Sequence, residues 1–347
     1  MKFESVTIKD IAKALNLSTS TVSRALRDSY EISVETKKLV VEYAKSVDYR
    51  PNPSALNLKE RRSRTIGIII SEIANSFFSQ AIAGIESVAN ENGYNVIISQ
   101  TLENFEREVE ATRNLSQSVD GMLISLCSET TTMDHIRQLH DRGMPIVFFD
   151  RISKSVPAHK VRSNNYKGAY DATMHLIENG YRQIAFIGNP DNLSIIKERK
   201  LGFEAALAEN RIKTPQNFIK QCVHGGLDYE EVEKVMDQLM ALKNRPDAIL
   251  SCADKITTNC YRYLSRRKLR IPEDLALIGF SNLDLTDFIT PSLSIIKQQA
   301  TQMGTQAAEL LIRQIESKRP VTEFKDIVLE PALYIRDSTG KKLAQPA

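Results

Sequence analysis

Two kinds of hydrophobic periodicity in one chain predict a small all-α helix-turn-helix domain followed by a two-lobed α/β body with two doubly wound parallel sheets. Up to about residue 50, apolar residues recur at helical spacing in short runs broken by polar turns. From Thr65 onward, β-branched apolar runs alternate with amphipathic runs of helical length, in two successive series. Such alternation means parallel strands covered by helices on both faces. A length of 347 residues, 42% of them hydrophobic and 26% charged, suits two or three domains with a real core.

The first helix pair is read from Val6 to Leu26, VTIKDIAKALNLSTSTVSRAL. Ile8, Ile11, Ala12 and Leu15 share one face; Asn16-Leu17-Ser18 interrupts; Val22, Ala25 and Leu26 resume it. Thr7 with Asp10 three residues on is a capping pattern, the threonine oxygen taking a free backbone N–H. Asn16 stands where the turn wants a left-handed residue, which asparagine tolerates. Ser18 caps the second helix, whose first turn offers Thr19, Ser20 and Thr21, with Arg24 just behind. Short hydroxyl side chains and an arginine at a helix N-terminus suit base edges and phosphates in a major groove. The same stretch is also compatible with a capped hairpin inside a larger core.

A third helix follows, capped by Ser33, with Thr36, Leu39, Val40, Tyr43, Ala44 and Val47 inward and Lys37, Lys38, Glu42 and Lys45 outward. This gives a domain over 1–50. Residues 51–64 read as hinge and linker. In Asn52-Pro53-Ser54-Ala55-Leu56-Asn57-Leu58, Asn52 can cap a short helix with Pro53 at its first position. A helix this short does not persist alone, so it would form only against DNA or a second copy.

The body is read over 65–340. Its first series runs strand Ile66–Ile70, helix Phe77–Asn92, strand Asn95–Ser99, helix Glu103–Ser118, strand Gly121–Leu126, helix Met133–Arg142 and strand Pro145–Phe149. The second runs helix Tyr166–Asn179, strand Ile184–Gly188, helix Ser194–Glu209, strand Ile219–Val223, helix Tyr229–Leu242, strand Ala248–Cys252, helix Asp254–Arg267 and strand Leu275–Phe280. Strand Leu293–Ile296, helix Thr301–Ser317 and strands near Ile327–Glu330 and Ala332–Ile335 are read as completing both sheets. The first subdomain is accordingly placed at 65–163 and 297–325, the second at 164–296 and 326–340, with a polar tail at 341–347.

Composition narrows function. Residues 1–64 hold thirteen Lys/Arg against eight Asp/Glu, while the rest is nearly neutral, so a polyanion partner is expected for the front end alone. Cys127, Cys222, Cys252 and Cys260 show no CxxC spacing and read as buried thiols in a reducing compartment. No apolar run is long enough to span a membrane, and MKFESVTIKD lacks a secretory apolar segment, so a cytoplasmic location is expected. There is no phosphate loop, GxGxxG, HExxH or GxSxG, and His135, His140, His159, His175 and His224 lack metal-ligand spacing. Neither an enzyme nor a cofactor or metal is expected.

The order and spacing of VTIKDIA, STSTVSRAL, SVETKKLV and YRPNPSALNL resemble the DNA-binding domain and hinge of the LacI/GalR family of bacterial transcription regulators. TIGIII, Asn75-Ser76-Phe77-Phe78, Val119-Asp120-Gly121-Met122, Asp150-Arg151, Gly180-Tyr181-Arg182, Arg199-Lys200-Leu201-Gly202-Phe203 and Ile278-Gly279-Phe280 extend the resemblance to about Ile335. It implies a periplasmic-binding-protein-like body and a homodimer on a near-palindromic operator. Thr19 and Ser20 would read bases, and Arg24 a base or a phosphate. Thr7, Thr21 and Asn57 would contact phosphate or sugar. Leu58 would wedge into a minor-groove step, and Ala55 would let two hinge helices approach. A small effector (sugar, sugar acid or sugar phosphate) would bind between the subdomains at Asn75, Phe77, Asp150, Arg151, Arg199, Asp254, Ser281 and Asn282. Many members carry an acidic residue where Ser281 stands, and this chain has no tryptophan, so a standard hexose is put in doubt. The implied function is a ligand-switched repressor of carbohydrate-use genes; the alternative is a soluble carbohydrate-binding protein without operator control.

Overall fold

The computed structural model describes residues 6–49, 62–191 and 193–342. The chain divides into two compact units at Arg64/Thr65. Ala55, Asn57 and Leu58 lie outside the described residues.

The first unit contains α1 (Ile8–Ala14), α2 (Thr19–Leu26) and α3 (Val34–Ser46). At α1 the Asp10 carboxylate accepts both the Thr7 backbone N–H, at 2.8 Å, and the Thr7 hydroxyl, at 2.7 Å. Asn16 turns the chain at φ 53° as expected, and Ser18 accepts the Thr21 N–H at 3.0 Å. Ser33 does the same for Thr36 N–H at 3.2 Å. Ile11, Ala12, Val22, Ala25, Val40 and Ala44 form the core. Leu39, expected inward, is 49% exposed. It lies about 100° around the helix from Val40, and a core this small fills only a narrow stripe.

The second unit holds two lobes. In the first, β1 (Thr65–Ile70), β2 (Asn95–Gln100), β3 (Gly121–Ile124), β4 (Ile146–Phe149), β5 (His159–Ser163) and β11 (Asp326–Leu329) form a parallel sheet ordered β11-β5-β4-β3-β1-β2. Its helices are α4 (Ser76–Glu91), α5 (Phe105–Leu115), α6 (Asp134–Asp141) and α11 (Ala300–Glu316). In the second lobe, β6 (Ile184–Gly188), β7 (Ile219–Gln221), β8 (Ala248–Ser251), β9 (Ala276–Phe280), β10 (Ser294–Lys297) and β12 (Ala332–Tyr334) are ordered β12-β10-β9-β8-β6-β7. Helices α7 (Asn165–Glu178), α8 (Ser194–Glu209), α9 (Tyr229–Met240) and α10 (Asp254–Arg266) cover it. The two lobes use one packing device. A Cβ on Gly84 would sit 2.2 Å from Thr301 O, and one on Gly304 2.0 Å from Ala81 O, so α4 and α11 cross nearly backbone to backbone. Gly202 lets α8 approach α7 in the same way.

Three expectations are corrected. Strand β5 went unread because Lys160 and Arg162 alternate with buried residues, giving a half-buried period rather than an apolar run. Strand β11, assigned above to the second subdomain, pairs with β5 in the first sheet. The first subdomain thus extends through Leu329, and the last crossover lies between Leu329 and Ala332. Finally, β12 runs antiparallel to β10, so the second sheet is not wholly parallel.

The chain crosses between lobes after β5, after β10 and after β11, and Glu330 ties these strands together. Its side chain accepts Asn164 Nδ2 at 2.9 Å, and its carbonyl accepts Gln299 Nε2 at 2.6 Å. The polar segment after Arg336 packs inward through Gly340. Thr339 Oγ1 lies 2.8 Å from His175 Nε2 and 2.7 Å from Ser294 Oγ, and Ser338 donates to Leu277 O at 2.6 Å.

Burial holds His175 below the ordinary imidazole value of 6.5, and burial with nearby Lys325, Arg313 and Lys160 does the same for His159. The unfolded chain takes up these protons as pH falls through 6.5, while the folded chain resists until lower pH. Their contribution is complete above that value and is lost as pH falls toward the depressed folded values. The melting temperature should therefore drop between about pH 7 and pH 5.5. His175→Gln, which can still bond Thr339, should flatten part of that slope; an unaltered slope would place the acid sensitivity elsewhere.

Candidate functional site

The first unit presents a reading face on the opening turn of α2. Thr19 and Ser20 are exposed, and neither side chain has a hydrogen-bond partner among the described residues. Thr21 is half-buried, its hydroxyl 2.8 Å from Ser18 Oγ. Arg24, one turn on, is exposed and pairs with Glu31 at 3.0 Å. An exposed pair of this kind contributes about 1 kcal/mol or less, so a phosphate or guanine edge can displace the carboxylate. Thr7 sits at the start of α1 with its hydroxyl given to Asp10. The face thus offers two free hydroxyls, a helix N-terminus and one exchangeable guanidinium.

The second unit brings Asn75, Phe77, Asp150, Arg151, Arg199, Asp254, Ser281 and Asn282 around one cavity between the lobes. Each position except Arg199 follows the carboxyl end of a parallel strand. Asn75 and Phe77 come after β1, Asp150-Arg151 after β4, Asp254 after β8, and Ser281-Asn282 after β9. In an open parallel sheet the strand ends leave a crevice where the next helices diverge, and here two such crevices face each other.

Arg199, on α8, is 3% exposed. Its Nε donates to Asn165 Oδ1 at 2.9 Å, and its two terminal nitrogens donate to Cys252 O at 2.6 Å and Gln298 Oε1 at 3.2 Å. Its guanidinium lies 3.7 Å from the centre of the Phe280 ring. No carboxylate comes within 4 Å of it among the described residues, and burial brings its pKa down to about 10. Asp150, 5% exposed and at φ 58°, receives Gln298 Nε2 at 3.4 Å. Burial raises its pKa against the pull of Arg151 and Arg199. Burial also raises Asp254, although the Ser281 hydroxyl donates to it. The acidity missing at Ser281 is thus supplied next door by Asp254.

Arg151 differs from Arg199: its Nη1 donates to both oxygens of Glu103, at 2.8 and 2.7 Å, and to Leu126 O at 3.3 Å. Asn75 spends its side-chain oxygen on the Phe77 N–H at 2.9 Å, and Phe77 packs edge-on against Phe78. Asn282 joins the lobes. Its Nδ2 donates to Gln80 Oε1 and Gln298 O, each at 2.8 Å, and its Oδ1 accepts Gln298 N–H at 3.1 Å. Gln80 Nε2 in turn donates to Asn282 O at 2.9 Å.

Gln298, Asn189 and Phe280 also line the cavity, and sequence reasoning gave them no role. Asn189 and Gln298 follow β6 and β10, the same strand-end position that Asp254 and Ser281 hold after β8 and β9. Asn189 is 4% exposed, and its side-chain oxygen has no hydrogen-bond partner among the described residues. The enclosed space is about 60 Å³. Small-molecule sites run to ~300 Å³ and more, so the lobes must part to admit a ligand. A wider groove of about 820 Å³ lies at the amino ends of β6, β8 and β9. There Lys342 pairs with Asp247 and Arg270 with Asp274. All four cysteines are buried free thiols, and the described residues contain neither a metal-ligand cluster nor a helix long and apolar enough to cross a membrane.

Residues 7–52 match the description "Bacterial regulatory proteins, lacI family", and residues 173–339 match "Periplasmic binding protein-like domain". The ribose operon repressor of Haemophilus influenzae is 32% identical over 96% of this chain and 98% of its own length. The HTH-type transcriptional repressor PurR of Vibrio parahaemolyticus is 30% identical over 96% and 99%. A LacI family regulator from Enterococcus faecium, solved with bound ribose, superposes with a TM-score of 0.70 at 26% identity, covering 80% of this chain and 99% of that one. The lac repressor dimer on its operator reaches 0.81 over 97% and 100%, at 22% identity. The chain belongs to the LacI family of bacterial regulatory proteins: it is a DNA-binding transcriptional repressor with an effector-binding body, and not an enzyme.

Proposed function

We propose that this repressor is switched by a small, neutral, polyhydroxylated effector of about pentose size, held between the lobes, and that it governs carbohydrate-use genes. The carrying observation is the pairing of Arg199, a buried guanidinium without a carboxylate, with Asp150 and Asp254 on the same cavity. A fork of N–H donors facing carboxylate acceptors matches vicinal hydroxyls, which both give and take hydrogen bonds. Glu103 already neutralises Arg151, so carboxylates weigh against an anionic ligand such as a sugar acid or phosphate. A ribose operon repressor among the relatives and ribose in a structural neighbour agree with this class.

On the DNA side, Thr19, Ser20 and Arg24 are assigned to base reading and Thr7 and Thr21 to backbone contacts, with Ala55, Asn57 and Leu58 completing the hinge. Two copies would occupy a near-palindromic operator. Action on chromosomal DNA places the protein in the cytoplasm. A carbohydrate carrier without operator control has no use for the exposed hydroxyls and arginine of α2.

In a thermal-shift and calorimetric screen of sugars, sugar acids and sugar phosphates, ribose should stabilise the protein. Arg199→Ala should weaken its binding about 10- to 100-fold, the loss expected for hydrogen bonds to a charged group. Equal stabilisation of both proteins would remove the cleft assignment. Asp150→Asn keeps a left-handed residue and removes a buried charge. It should raise the ligand-free melting temperature by roughly 2–4 °C while weakening ribose; a lower melting temperature would show that the charge serves the fold. Ser20→Ala should cut discrimination between operator variants about fivefold while leaving non-specific affinity nearly unchanged. A uniform loss on all DNA would make Ser20 a backbone contact.

A further inference from the structure

The residue that sets the charge of the effector cavity stands behind it. We infer that Glu103, by holding Arg151 in a neutral pair, is the determinant that makes the cavity select neutral over anionic ligands. This rests on the neutral-effector reading above and deepens it.

The geometry around Glu103 is specific. Its carboxylate takes Arg151 Nη1 through both oxygens and the Ser128 backbone N–H at 2.7 Å. Burial alone would raise its pKa, but Arg151 and Ser128 outweigh it and hold the carboxyl below the ordinary range. Arg151 Nε, by contrast, is buried with no hydrogen-bond partner among the described residues, and Asp150 Oδ2 is 3.9 Å from it. Arg151 therefore has donating capacity left over beside the cavity and lacks only net charge. Released from Glu103, it would add a second guanidinium to the wall across from Arg199, with Asp150 beside it as its nearest remaining carboxylate.

The backbone is bent to make this pair. Leu102 and Glu103 are successive residues at φ 50° and 63°, neither of them glycine or asparagine, and Asp150 beside Arg151 is at φ 58°. Leu102 N–H to Ser71 O at 2.9 Å and Asn104 N–H to Thr101 O at 3.1 Å hold the bend. Left-handed conformations of ordinary residues persist where the surroundings over-determine them, typically at binding sites. The chain carries local strain on both sides of one ion pair at the cavity edge.

The test compares wild type, Glu103→Gln and Glu103→Gln/Arg151→Gln by calorimetric titration of the full-length protein with inorganic phosphate, ribose 5-phosphate and ribose. Glutamine retains an oxygen for the Ser128 N–H, so the loop keeps its anchor while the charge goes. Glu103→Gln should bind inorganic phosphate about tenfold or more tightly than wild type, and the ribose 5-phosphate to ribose affinity ratio should rise by a similar factor. The double variant should return to the wild-type phosphate affinity. Unchanged phosphate affinity in a folded Glu103→Gln protein that still binds operator overturns the inference. So does a gain that survives loss of Arg151. Should Glu103→Gln fail to fold, Glu103→Asn removes the same charge and tolerates the left-handed backbone at φ 63°, and an absent gain there is equally decisive. A wild type that ignores ribose refutes the neutral-sugar reading, while the phosphate comparison still decides the role of Glu103.

Discussion

The body of this repressor depends on how it accommodates one buried cation. Taking a guanidinium out of water costs several kcal/mol unless its hydrogen-bonding capacity is met, and Arg199 has no carboxylate to meet it. Three neutral oxygens and a ring face do so instead: Asn165 at the start of α7, Cys252 at the end of β8, Gln298 after β10, and Phe280 ending β9. Each lies at a strand end or helix start, so satisfying Arg199 fixes the rim of the second lobe. The same contacts leave the charge unneutralised, and that residual charge is what a ligand can exploit. Hydrophobic clusters on both faces of each sheet supply the stability that a purely structural role would not need to spend here.

The two lobes meet through side-chain amides, Gln80 with Asn282 and Gln298 with Asp150. Asn282 makes reciprocal bonds with Gln80 on α4 and with the backbone of Gln298, and Gln298 reaches from Arg199 to Asp150 across the cavity. Parting the lobes exposes these amides to water, which replaces their bonds at little net cost. Glu330, bonded to Asn164 and beside Gln299, keeps the crossing strands in register, so any parting is a rotation about a tied hinge.

What was legible in the sequence was local. Caps at Ser18 and Ser33 and the turn at Asn16 depend on neighbours within four residues, and all three stand as read. Asp150, Asp254 and Ser281 rest on the family resemblance, and the fold gathers them at strand ends around one cavity. The misses are long-range. Nothing near Glu103 announces that Arg151, 48 residues away, will take its charge. Gln298 and Asn189 hold strand-end positions too, but only the folded cavity singles them out from the other polar residues at strand ends. The assignment of β11 failed because only its pairing with β5, far back in the chain, says which sheet it joins. Leu39 was misplaced by a helical face drawn wider than so small a core can cover.

A ligand shifts a conformational equilibrium only by the difference in its affinity for the two states. Here that difference is built into the distribution of the cavity residues. Asn75, Phe77 and Asp150 belong to the first lobe, while Arg199, Asp254 and Ser281 belong to the second. A molecule bonded to Asp150 alone binds equally well whether the lobes are open or closed and therefore switches nothing. One that spans Asp150 and Arg199 gains its second set of bonds only on closure. The affinity difference between states is then the worth of the bonds to the second lobe. With hydrogen bonds to charged groups at about 1.5–3 kcal/mol each, two of them shift the equilibrium by roughly two to four orders of magnitude. On the proposed reading, effector recognition and control of the repressor are the same interaction, made at a buried guanidinium with no carboxylate within 4 Å among the described residues.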